Sequence, residues 1–174
     1  MREKTVAVFG TGRAKPGESA YELAYRMGKL LARGGFTIVN GGYGGTMLAS
    51  AKGAAENGAE TIGVTCSAFA SAAANEYISR TIVTNSLDER LDTLIKLAQA
   101  YIILPGGTGT LLELAKVWEL KNKGFLQEQK PIILLGEFWK PLVDLVVRDN
   151  AKSIGCIYQA DGPEQAVDIL TGSV

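Results

Sequence analysis

Tyr101-Ile102-Ile103-Leu104-Pro105-Gly106-Gly107-Thr108-Gly109-Thr110 sets a short apolar run directly against a glycine loop, and a helix-periodic segment runs from there to about Asn122. Four apolar residues bounded by turn signals are too few for a buried helix and read as a strand. A strand that turns through glycines into a helix is half of a βαβ unit, the building block of a parallel sheet.

The same alternation extends in both directions. Upstream, Thr5 to Phe9 reads as a strand, Gly10-Thr11-Gly12 as a turn, and about Glu18 to Ala32 as a helix ended by Gly34-Gly35. Phe36 to Val39 is a second strand, followed by Gly41-Gly42-Tyr43-Gly44-Gly45-Thr46 and a small-residue helix over Met47 to Glu56. Thr61 to Thr65 is a third strand, Cys66 to Glu76 a polar connection, and Thr81 to Thr84 a short strand. Ser86-Leu87-Asp88-Glu89 has the capping-box form and opens a helix to about Gln99. Downstream, Ile132 to Leu135 is a strand, Phe138 to Asp149 a helix, Ile157-Tyr158 a short strand and Pro163 to Leu170 a closing helix. The expected architecture is α/β: a Rossmann-like, doubly wound, mostly parallel sheet with helices on both faces. Residues 1–174 are expected to form one nucleotide-binding domain.

Composition narrows the chemistry. Eighteen basic and 18 acidic residues cancel, so no overall field gathers nucleic acid or anionic membrane, and neither is an expected partner. There is no histidine, which removes Ser-His and Cys-His nucleophile pairs and imidazole metal sites. Cys66 and Cys156 are far apart without paired spacing, so neither a disulfide framework nor a zinc site is expected. The run after Met1-Arg2-Glu3-Lys4 is too short for a signal peptide, and no apolar stretch reaches a membrane span. These readings together place the chain in the cytoplasm.

Three glycine-rich turns fall at the carboxyl ends of strands, where open parallel sheets bind ligands. Glycine lets backbone N–H groups approach an anion, and a following helix adds its positive end. A dinucleotide fingerprint is absent, because Lys15 occupies its third glycine position and the second strand runs into Val39-Asn40-Gly41 with no acid. Gly28-Lys29 precedes Leu30 inside a helix and is no Walker-A loop. A nucleoside monophosphate or another phosphorylated small molecule remains.

Two side chains share that edge. Arg90 lies in the first turn of the helix capped by Ser86, and Glu113 lies in the first turn after the Pro105 loop. Each has a plainer reading. Thr110-Leu111-Leu112-Glu113 is itself a capping-box pattern, and Arg90 can pair on the surface with Asp88 or Glu89.

Pro105-Gly106-Gly107-Thr108-Gly109-Thr110-Leu111-Leu112-Glu113 matches the P-G-G-x-G-T-x-x-E signature of the LOG family, phosphoribohydrolases whose members often carry the name lysine decarboxylase. The chain resembles that family over about Val6 to Leu135, with Arg90 at its motif arginine and Gly41 to Thr46 at its second glycine turn. The resemblance implies a nucleoside 5′-monophosphate hydrolase that releases free base and ribose 5-phosphate, with Arg90 and Glu113 catalytic. Phosphate would dock on Gly106, Gly107, Thr108, Gly109 and Thr110, with Gly10, Thr11, Gly12, Gly41 and Gly42 lining the nucleoside side. Arg90 would keep Glu113 ionised and bind phosphate or ribose oxygens. The scheme requires neither metal nor cofactor, and no Schiff-base lysine setting for pyridoxal phosphate can be read. The resemblance also implies a homodimer or larger homo-oligomer.

The chain departs from the family pattern in having Leu91 where a basic residue usually follows the arginine, and Leu87-Asp88 where a methionine-histidine pair is often found. Relatives with altered motifs resemble carriers of phosphorylated cofactors, molybdenum cofactor among them. A carrier without turnover and a protein-interaction module, whose glycines only make turns, are the alternatives.

Overall fold

The computed structural model describes residues 4–69, 73–127 and 129–172. The start of the chain read for a signal peptide, 1–3, and the middle of the Cys66–Glu76 connection, 70–72, lie outside the described residues. In chain order the elements are β1 (Thr5–Phe9), α1 (Ser19–Arg33), β2 (Thr37–Asn40), α2 (Thr46–Ala55), β3 (Thr61–Cys66), β4 (Arg80–Thr84) and α3 (Leu87–Leu97). They continue as β5 (Ala100–Ile103), α4 (Thr108–Asn122), β6 (Ile132–Leu135), α5 (Lys140–Asp149), β7 (Ile157–Ala160) and α6 (Pro163–Thr171). A 3₁₀ helix at Ala151–Cys156 precedes β7.

The seven strands form one sheet in the order β4-β3-β2-β1-β5-β6-β7, and every described pairing is parallel. Strand side chains alternate between faces, and the sequence exploits both. Val6, Val8, Ile38, Ile102, Leu104, Ile133 and Leu135 enter the core under α1, α2 and α6. Ala7, Phe9, Val39, Tyr101, Ile103, Ile132 and Leu134 enter the core under α3, α4 and α5. Burial on both faces is why β1, β5 and β6 read as uninterrupted apolar runs.

Several boundaries differ from expectation for definable reasons. Phe36 is not in β2: its N–H donates to Leu31 O at 3.0 Å across Gly35, whose φ is 75°, so Phe36 closes α1 in a Schellman-type turn. The helix expected to reach Gln99 stops at Leu97, because the Gln99 N–H already joins the sheet at Thr5 O, 2.8 Å away. The helix expected from Phe138 starts at Lys140, which leaves Pro141 in its first turn where no amide donor is required. Trp139, just before it, donates its indole N–H to Leu104 O at 3.0 Å and so braces the entry to the Pro105 loop.

Gly28 within α1 has a packing reason. A Cβ there would lie 2.0 Å from Ser50 O in α2, so the two helices approach at backbone distance. No helix among the described residues is long and apolar enough to cross a membrane.

Candidate functional site

The chain leaves β1 toward β2, β3 and β4 on one side, then returns to β5 on the other, so strand order reverses between β1 and β5. Such a switch point opens a crevice at the carboxyl ends of the strands. The Gly10-Thr11-Gly12 turn and the Pro105 loop are its two walls. The Thr11 N–H donates to Pro105 O at 3.2 Å, and Thr11 O accepts from the Thr46 N–H at 2.9 Å and the Thr46 hydroxyl at 3.0 Å. All three glycine turns are thereby tied together. Between them lies a pocket of about 710 Å³ lined by Gly10 to Arg13, Met47, Arg90, Gly107 to Thr110 and Glu113.

The Pro105 loop leads into α4 with Gly107 as N-cap and no side-chain cap. The N–H groups of Thr108, Gly109 and Thr110 have no acceptor among the described residues. Three unmet donors at a helix start carry partial positive charge and suit an anion. The capping box read at Thr110 to Glu113 does not form, since α4 begins two residues before it. Glu113 is therefore released from capping. The Thr110 side chain is buried against Gly106, and neither it nor Thr108 caps the helix.

On α3 the Ser86 hydroxyl accepts from the Glu89 N–H at 3.1 Å, and the Glu89 carboxylate reaches back to the Asn85 N–H at 2.7 Å. This fixes the first turn and aims Arg90 inward, where only 8% of its surface is exposed. The surface pairing with Asp88 or Glu89 is absent. Instead Nε donates to Val64 O at 2.7 Å and Nη2 to Gly41 O at 3.1 Å. The guanidinium lies 5.4 Å from the Tyr43 ring centroid and 5.7 Å from that of Phe69. It has no ion pair among the described residues, and Nη1 has no hydrogen-bond partner among them. A buried cation compensated by carbonyl dipoles, ring faces and the Met47 sulfur favours an incoming electron-rich group.

Glu113 is partly exposed, opening to the pocket. Burial pushes its carboxyl up to about 7, and the positive charge of Arg90 pulls the other way. The expectation that Arg90 keeps Glu113 ionised is thus corrected: desolvation outweighs the guanidinium, and at neutral pH the carboxyl is poised between its two forms.

The sequence model of the SLOG cluster4 family matches residues 3–167. The chain belongs to this family. It is 30% identical over 148 residues to the cytokinin riboside 5′-monophosphate phosphoribohydrolase of Rhodococcoides fascians, spanning 82% of this chain and 74% of that protein. It is 34% identical over 134 residues to the protein of the same name from Mycobacterium tuberculosis, spanning 75% and 70%. Among solved structures, the molybdenum cofactor binding protein from Rippkaea orientalis superposes with a TM-score of 0.81 at 27% identity, covering 99% of this chain and 98% of that one.

For this SLOG cluster4 protein the departure at Leu91 has a structural account: Leu91 is 5% exposed and packs in the core beneath α3, off the pocket. Gly41 and Gly42, expected on the nucleoside side, and Gly106, expected at the phosphate, do not line the pocket. Gly41 lies against the Arg90 guanidinium, where a Cβ would come within 1.8 Å of Nη2. Gly42 O accepts from the Asn75 backbone and side-chain N–H groups at 2.8 and 3.1 Å. Two lining residues, Arg13 and Met47, went unread in the sequence. For Arg13, a cation directly after a glycine turn was the one available signal. Among the described residues, no group of three or more Cys, Asp or Glu side chains is arranged to hold a metal ion.

Proposed function

We propose that this SLOG cluster4 protein is a nucleoside 5′-monophosphate phosphoribohydrolase, acting on a phosphorylated small molecule at the β1–β5 crevice. The observation that carries the reading is one pocket joining the unmet N–H donors of Thr108 to Thr110, the carboxyl of Glu113 and the buried guanidinium of Arg90. The phosphate docks at the start of α4 and the ribose extends toward Arg90. As the C1′–N bond breaks, its electron pair leaves with the base and positive charge develops at C1′. Ionised Glu113 stabilises that charge and takes the proton of the attacking water as its oxygen bonds to C1′. The departing base is protonated from solvent. A carboxyl titrating near 7 suits the proton transfer at neutral pH.

Incubation with a panel of nucleoside 5′-monophosphates, followed by chromatography for free base, tests the reading. Release of base and ribose 5-phosphate is the expected result. Glu113→Gln is expected to lower turnover by at least about 10²-fold, the scale of general acid–base assistance, while ligand binding persists.

A second reading, a carrier that holds a phosphorylated cofactor without cleaving it, is favoured by the full-length likeness to the Rippkaea molybdenum cofactor binding protein. Wild-type protein that binds AMP and never releases adenine would select it. Under either reading the assembly is taken to be a homodimer or larger. Exposed Leu111 and Leu112 on α4 are offered as the contact, and light scattering after gel filtration tests it.

A further inference from the structure

Arg13 plays no part in the scheme above, yet it lines the same pocket as Thr108, Thr110 and Glu113. Its backbone is held in place: the Arg13 N–H donates to the Thr11 hydroxyl at 3.2 Å, and Thr11 is tied to Pro105 and Thr46. Its side chain is exposed and makes no ion pair or hydrogen bond among the described residues. The fold therefore keeps an uncommitted guanidinium on a fixed stem at the switch-point crevice.

Strand order separates the duties of the two arginines. Arg90 is anchored at Val64 O on β3 and at Gly41 O just beyond β2. With neighbouring strands about 4.8 Å apart, those anchors lie roughly 10–14 Å across the sheet from β5 and the α4 helix start. Arg13 rises from β1, the direct neighbour of β5, on a turn hydrogen-bonded to the Pro105 loop itself. A phosphate held by the α4 N–H donors carries up to two negative charges, and a helix start offers only about half a positive charge. Arg90 is committed through two of its nitrogens to backbone carbonyls on the β2–β3 side, whereas the Arg13 guanidinium is uncommitted among the described residues.

We infer that Arg13 is the phosphate-binding side chain of this site, closing on the anion opposite the α4 start and selecting phosphorylated over unphosphorylated ligands. This rests on the proposed nucleotide site, and it assigns Arg90 to the ribose end. The planar guanidinium can engage two phosphate oxygens at once, which an ammonium cannot.

The test compares wild type, Arg13→Ala and Arg13→Lys by thermal-shift titration with ribose 5-phosphate and with ribose, alongside AMP hydrolysis. Because the Arg13 side chain supports nothing in the fold, both variants are expected to melt like wild type without ligand. Arg13→Ala is expected to weaken ribose 5-phosphate binding by roughly tenfold to a hundredfold. The loss in hydrolysis should fall on KM for AMP more than on kcat, with Arg13→Lys intermediate. Equal affinity of wild type and Arg13→Ala for ribose 5-phosphate would overturn the assignment even if AMP is hydrolysed. Wild type that binds ribose 5-phosphate through Arg13 but releases no base would sink the hydrolase reading and leave Arg13 in place. No binding of ribose 5-phosphate by wild type would overturn both.

Discussion

The chemistry of this site is carried by side chains whose backbones are fixed and whose charges are left unmet. Arg90 shows how that is arranged. Its guanidinium occupies the space a side chain at position 41 would need, so Gly41 is dictated by Arg90 rather than by the turn alone. Gly41→Ala must push Nη2 away from Gly41 O and strain the Val64 contact. We expect it to cost about 1–3 kcal/mol in urea unfolding, the range for overpacking, and to lower kcat/KM for AMP by at least about tenfold. A variant that unfolds like wild type and turns over normally would show that the arginine has room to shift. Glu113, expected in the first turn of its helix, stands in the second because α4 starts at Thr108, whereas the position of Arg90 was legible from its fixed offset to the Ser86 cap. Arg13 was not, because a loop cation reads the same whether it faces solvent or a ligand, and only the strand order places it beside α4. Met47 was hidden for the same reason: its sulfur lies against Arg90 through tertiary packing alone.

Elements matter here as rulers that set where those side chains stand. The Ser86 cap starts α3 in the register that turns Arg90 under the sheet edge while Leu91, Leu94 and Ile95 enter the core. Ser86→Ala is expected to cost about 1 kcal/mol, the usual value of a cap. Loosening the first turn should also weaken AMP turnover, which Ser86→Asp, able to accept the same N–H bond, should restore. Equal activity of the alanine and aspartate variants would mean that packing alone aims Arg90. The pattern of strands and helices was readable because apolar runs of four to six residues and helix-length periodic segments alternate with glycine turns. What escaped were features set by the sheet after assembly. Phe36 left its strand to close α1, and Gln99 left its helix to pair with β1. The 3₁₀ helix at Ala151–Cys156 has no apolar period of its own; it is held by the Asn150 cap and by Trp118, whose indole N–H donates to Ser153 O at 3.0 Å. The spacing between α1 and α2 likewise shows only in three dimensions, where Gly28 meets Ser50 O.

At the scale of the whole molecule, 18 positive and 18 negative residues leave no net charge, so ligand capture depends on the local field of one crevice. That field has a cost to folding, and the cost has a sign that can be measured. Burial raises the Glu113 carboxyl from its ordinary 4.5 to about 7. A carboxyl raised in the folded state binds its proton more tightly there than in the unfolded chain, so it favours folding at low pH. That contribution is complete below 4.5 and is lost as the pH rises through about 7. The window therefore runs between those two values, opposite in sense to a carboxylate held ionised by a salt bridge. Allowing for its partial exposure, the loss amounts to roughly 1–3 kcal/mol. Glu113→Gln mimics the neutral acid at every pH. The variant should match wild type in urea unfolding near pH 4 and become more stable by that amount at pH 8.5, even as its turnover disappears. If wild type instead gains on the variant as the pH rises, Arg90 holds the carboxylate ionised after all. The proton-accepting role of Glu113 would then need a pH–rate profile with its inflection well below neutrality.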